Sequence, residues 1–209
     1  MHLFKEDQGE IDDCVKHHKL KMLINLILAN TIIVFVIGAL TYGEKFRFWD
    51  FAYSHLGMTR TPGGYRNTLS FLVFAAGCLF SSFICFKISN ALTIQLFRIL
   101  FKICGAGYLL IMLPCNLINS LHTIGGVIVI GTLWVFSIIS INDIYHSAKK
   151  YRALLYFLLL NGTVLPYGFM YVVHSSYMQI AQKIALLGLI LVLKLIITEQ
   201  TTENVLERD

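Results

Sequence analysis

The sequence predicts an all-α polytopic membrane protein, a bundle of six transmembrane helices with a long outer first loop. Hydrophobic residues make up 56% of 209 positions and charged residues only 14%, a balance too apolar for an ordinary soluble domain. Mean hydropathy is positive. Six stretches reach the roughly 20 mostly apolar residues that a helix needs to cross the hydrocarbon of a bilayer.

The first span is expected at 20–42. A secretory signal has an apolar core of about 7–15 residues that ends at a small-residue cleavage site. The run "LINLILANTIIVFVIGALTY" is longer and lacks that site, so it reads as a retained span. The second, 67–89, carries Gly77, Ser81 and Cys85 at intervals of four, the small-xxx-small pattern that lets helices approach closely.

The third span, 97–118, aligns Gly105, Tyr108, Met112, Asn116 and Asn119 on one helical face, with the polar members toward one end. The fourth, 122–142, opens on His122, and Gly125 with Gly126 allows close backbone approach. The fifth, 152–173, repeats the stripe with Thr163, Tyr167, Tyr171 and His174 beside Pro166, which should kink the helix and free a carbonyl. The sixth, 178–198, has Lys194 near its end, where the stem can snorkel to the interface.

Around the 20–198 transmembrane domain the chain leaves only a polar head, 1–19, and a polar tail, 199–209. No second domain fits. Five cysteines, at 14, 78, 85, 104 and 115, form no C-x-x-C pair and read as small packing residues. His17, His18 and His146 sit among basic residues and read as solvated surface. "NGT" at 161–163 matches a glycosylation acceptor but falls inside a span.

Cytoplasmic loops carry the excess of Lys and Arg. With six spans, twelve of these residues fall on the side of both termini and five on the other. Both termini are therefore expected in the cytoplasm, in the plasma membrane. The formal net charge of +5 follows from this bias and requires no nucleic-acid partner. Membrane lipids are the expected partners, and no cofactor is implied.

Under this topology Asp50, Ser54, His55 and Arg60 of the first loop share the outer face with Asn116, Asn119, His122, Tyr167, Tyr171 and His174. Ionisable groups near spans usually face a bundle interior or a wet cavity, so the loop is expected to cap a polar cleft between spans three, four and five. Its glycines and Pro62 supply tight turns, and the aromatic lead-in "FRFWDFAY" suits the headgroup layer. The competing reading is packing alone, since Asn, Tyr and His also link helices through hydrogen bonds of roughly 1 kcal/mol.

The order "SHLG", then "RNTLSFLVFAAG", then a third span ending in Pro, then "LHTIGG" resembles the six-span family filed as domain of unknown function 998. That family is similar in layout to the DRAM/Frag/Sfk group. Ser54, Leu56 and Gly57 match its S-x-L-G loop pattern and His122 its fourth-span histidine. The resemblance spans about 20–198 and implies the fold and an association with membrane lipids, not a reaction.

The leading functional expectation is binding or sensing of a lipid headgroup or small amphiphile in the outer cleft, with Arg60 and Arg66 on a phosphate. A metal-dependent intramembrane hydrolase is the alternative. There His55, His122 and His174 would hold zinc, Asp50 would act as base and Ser54 as oxyanion donor. The histidines come from three separate segments, so the expectation is that no metal is held and no residue is catalytic. The layout of this alternative is loosely similar to metal-dependent ceramidase-like membrane enzymes, but those have seven spans and an H-x-x-x-H pair that is missing here. A small-molecule transporter is a third reading, although no inverted repeat or pair of broken helices is visible.

Overall fold

A computed structural model describes residues 3–147 and 149–206, with side chains described for 18–147 and 149–199. Six α-helices follow in order: α1 Leu3–Leu40, α2 Thr68–Ala91, α3 Gln95–Ile111, α4 Asn119–His146, α5 Lys150–Val172 and α6 Met178–Leu206. A single 3-10 turn, Tyr53–Gly57, interrupts the loop between α1 and α2. Five helices contain segments long and apolar enough to cross a membrane: His18–Leu40, Thr68–Ala91, Asn119–His146, Lys150–Val172 and Met178–Glu199. The side chains of Cys14, Lys16 and His17, and the tail residue Arg208, lie outside the described set.

The helices pack mainly in chain order, and α6 closes the bundle against α1, α4 and α5. It is the most buried of the five long spans, and α5 the least. The lipid-facing surface is lined with exposed Leu, Ile, Val and Phe, as expected where the surrounding solvent is itself apolar.

The third helix departs from expectation. It ends at Ile111, not near 118, because proline disfavours helical backbone in the residue before it and has no N–H to continue the ladder. The chain turns at Met112–Leu113, and the Pro114 carbonyl accepts from Leu117 N at 3.0 Å and Ile118 N at 2.9 Å. The expected stripe is cut there. Asn116 falls in the connection and Asn119 opens α4, so neither lies on the face of α3.

At 17 residues α3 is about 25 Å long and packs between α2 and α4. Against α2 its contacts descend in register: Ser89 Oγ donates to Arg98 O at 2.9 Å, Cys85 Sγ lies 3.8 Å from Cys104 Sγ, and Ser82 Oγ donates to Gly105 O at 2.8 Å. Against α4, Phe97 and Phe101 stack edge-on to Phe136. At the other end Gly107 meets Gly125 so closely that a Cβ on Gly125 would lie 2.7 Å from Gly107 O. The neighbouring Gly126 faces open space.

The small-residue face of α2 divides between two neighbours. Asn30 of α1 donates its amide to Gly77 O and Ser81 Oγ, both at 2.9 Å, whereas Cys85 turns to α3. Two members of the fifth-helix stripe pack on α6: Thr163 sits against Gly188, and Tyr167 OH accepts from Gln182 Nε2 at 3.3 Å. Pro166 lies within a continuous helix and leaves the Gly162 carbonyl without its helical donor.

Among the described residues, Lys183 and Glu199 are the two buried charged side chains, and both belong to α6. Glu199 is held by Lys149 at 2.8 Å, Arg152 at 2.5 Å and the Tyr156 hydroxyl at 3.3 Å. This cluster ties the start of α5 to α6. A buried carboxylate needs such partners to remain ionised.

Candidate functional site: the loop between the first two helices

The loop begins by folding its aromatic residues back onto α1. Phe35 is the hub, with ring centroids 5.8 Å from Phe46, 5.9 Å from Phe48 and 6.0 Å from Tyr53. Tyr42 and Phe51 complete the group. Most of the expected headgroup-layer aromatics are therefore packed against protein, and Trp49 is left strongly exposed. Lys183 reaches up from α6, donates to the Phe48 carbonyl and lies 4.6 Å from the Phe48 ring centre.

Next comes the 3-10 turn. His55 Nδ1 accepts from Ala52 N at 2.9 Å, which places the proton of the neutral ring on Nε2. Burial lowers the His55 pKa, and the nearby Lys183 charge lowers it further. Leu56, completely buried, plugs the turn against α1.

Asn67 fastens the loop to the start of α2. Its Oδ1 accepts from Gly43 N at 3.0 Å, while its amide donates to Met58 O at 2.8 Å and Leu56 O at 3.4 Å. Ser70 Oγ adds a bond to Leu56 O at 3.2 Å. The side chain of Asn67 is almost wholly buried, so these bonds replace water.

The tip of the loop is a small hairpin. Arg60 and Arg66 form an antiparallel bridge, Thr61 N donates to Tyr65 O at 2.9 Å, and Gly64 N donates to Thr61 O at 2.9 Å. Pro62 presets the turn, and Gly64 takes φ +85°, a left-handed conformation that glycine adopts without strain. Glu44 Oε1 accepts from Gly63 N at 3.3 Å, and Asn116 grips Thr59 from the α3–α4 connection.

The structure connects some of the predicted residues and separates others. Tyr167, Gln182 and Ser54 form a hydrogen-bonded chain, since Gln182 Oε1 accepts from Ser54 N at 3.4 Å. Ser54 O accepts in turn from Cys115 Sγ at 3.4 Å, and burial pushes the Cys115 thiol up to about 11. Asn116 joins through Thr59. Arg60 is exposed at the hairpin and donates to Gly64 O at 3.3 Å.

The other residues do not converge on this chain. Asp50 is exposed and pairs with Arg47 at 3.3 Å. Asn119 and Tyr171 are exposed. His122 is buried, its Nδ1 2.8 Å from Leu113 O, where it fastens the turn around Pro114. His174 is exposed in the α5–α6 turn at φ +52°. The 3-10 turn packs on α1, α2 and α6, while Ser54 and Thr59 reach the α3–α4 connection through Cys115 and Asn116.

Among the described residues, no three His, Cys, Asp or Glu side chains come together as a metal site. His55, His122 and His174 are each engaged in a separate local structure. Sequence reasoning missed Asn67, Gln182, Lys183 and Glu199. For Gln182 and Lys183 the available signal was Gln179, Gln182 and Lys183 at helical spacing in an otherwise apolar span. No family model, curated protein or solved structure matches this chain.

Proposed function

We propose that this is a six-span integral membrane protein of the plasma membrane, with both termini cytoplasmic. Its outward first loop binds the anionic headgroup of a membrane lipid on the Arg60–Arg66 hairpin. The carrying observation is the antiparallel bridge between the two arginines. Residues directly opposite in such a pair project to the same face, and like charges there repel. Both are exposed, and among the described residues neither has a carboxylate partner. A phosphate relieves the repulsion and suits guanidinium geometry.

The hairpin is fixed by Asn67, Asn116 and Glu44, so little ordering cost remains for binding. Six crossings are supported by α2 and α4. Phe74, early in α2, lies 6.2 Å ring to ring from His122 at the start of α4, and α3 runs back between them. The "SHLG" and "LHTIGG" resemblance to the family of domain of unknown function 998 belongs to this proposal.

The experiment is lipid mass spectrometry of purified protein, combined with cysteine labelling at Gly63→Cys and Glu203→Cys. Anionic lipid should co-purify and be depleted in Arg60→Gln/Arg66→Gln, with position 63 reactive from outside and 203 protected. Unchanged lipid content would remove the headgroup assignment, and reversed labelling would remove the topology.

A further inference from the structure

The two asparagines of α1 within the membrane segment have opposite circumstances. Asn30 points into the bundle and bonds to α2. Asn25 borders a recess of about 470 Å³ on the outside of α1, lined by His18, Lys21, Met22, Asn25, Leu26 and Ala29. Among the described residues, His18, Lys21 and Asn25 have no hydrogen-bond or ion-pair partner. An amide left unpaired against hydrocarbon is costly.

The order of these residues along the helix is informative. His18, Lys21 and Asn25 follow at steps of three and four, making a polar stripe. Met22, Leu26 and Ala29 make the apolar stripe beside it. Asn25 lies about 6 Å deeper than Lys21 at 1.5 Å per residue. A cation stands at the mouth, an amide donor one turn below, and apolar wall continues beyond. No acidic residue occurs between 18 and 43.

We infer that this face of α1 binds an anionic phospholipid of the adjacent leaflet. Its phosphate lies on Lys21 and His18, a glycerol ester carbonyl accepts from Asn25, and an acyl chain follows Met22, Leu26 and Ala29. This site is separate from the Arg60–Arg66 hairpin, which stands beyond the opposite end of α1. Charge complementarity selects the lipid over a second copy of the chain. A two-fold contact through this patch would set Lys21 near its own equivalent, whereas a phosphate neutralises it.

Photolabelling in vesicles tests the assignment. The full chain is reconstituted in phosphatidylcholine containing phosphatidylglycerol, with a trace of phosphatidylglycerol carrying an acyl-chain diazirine, and labelled peptides are mapped by mass spectrometry. Labelling should concentrate on the peptide containing residues 22–29 and exceed that from the matching phosphatidylcholine probe. Lys21→Gln should reduce it about fivefold, as expected for one basic residue at an anionic surface. Asn25→Leu should reduce it too, and Arg60→Gln/Arg66→Gln should leave it unchanged. Lys21 and Asn25 are half-buried, so circular dichroism and thermal unfolding of each variant accompany the labelling to verify that the fold is kept.

Even labelling over all lipid-facing helices would overturn the inference, as would equal labelling by the two probes. Insensitivity to Lys21→Gln and Asn25→Leu would also overturn it. A cross-linked dimer through α1 that Asn25→Leu abolishes would assign the face to a second copy instead.

Discussion

Asn116 holds Thr59 with both ends of its amide, Oδ1 accepting from Thr59 N at 2.9 Å and Nδ2 donating to Thr59 Oγ1 at 3.0 Å. This pair ties the arginine hairpin to the α3–α4 connection, 57 residues later in the chain. It converts a surface loop into a fixed platform. Asn116→Ala should therefore accelerate amide exchange at Thr59 and Gly64. Because the site is exposed, water replaces the lost bonds and global stability should fall by only about 0.5–1.5 kcal/mol. Unchanged exchange would mean that the hairpin is held by Asn67 and Glu44 alone.

Glu199 is the anion on which Lys149 and Arg152 converge. Glu199→Gln keeps the shape and removes the charge, leaving the two cations facing each other beside a neutral amide. Thermal unfolding in detergent should show a loss on the order of 1–3 kcal/mol. Arg152 is well exposed, so its share of the loss is reduced by solvent screening. A variant as stable as the parent would show that the cluster contributes nothing net.

His55 gives a pH dependence of known sign. Its folded pKa is lowered from the ordinary value of 6.5 by burial and by Lys183, so the unfolded chain takes up the proton first. Stability is complete above about pH 6.5 and declines as pH falls from there through the folded pKa. Protonation also removes the Nδ1 acceptor from Ala52 N. Measured Tm should drop as pH falls below about 6.5, and His55→Gln should flatten that part of the profile. A flat parent profile, or an equal decline in the variant, would contradict it.

Much of the fold was legible because hydrocarbon demands long apolar segments, and these are visible in the sequence without knowledge of their neighbours. The third helix was misjudged for a local reason. The stripe from Gly105 to Asn119 keeps helical spacing on paper, but Pro114 breaks the chain in the middle of it. The loop was harder to read because its partners are distant. Nothing near Asn67 announces that its amide closes on Gly43 and Met58, and nothing near Lys183 announces Phe48. Arg60 and Arg66 were legible as a pair because Pro62, Gly63 and Gly64 between them encode a turn.

The most direct measurement is calorimetric titration of the detergent-solubilised protein with short-chain phosphatidylglycerol, with short-chain phosphatidylcholine as control. Lys21→Gln serves as background throughout, to remove the proposed α1 site. Selective binding of phosphatidylglycerol should weaken roughly thirtyfold in Arg60→Gln/Arg66→Gln, from about 1 kcal/mol per basic residue. Equal affinity for the two lipids, or unchanged affinity in the double variant, would contradict headgroup binding at the hairpin.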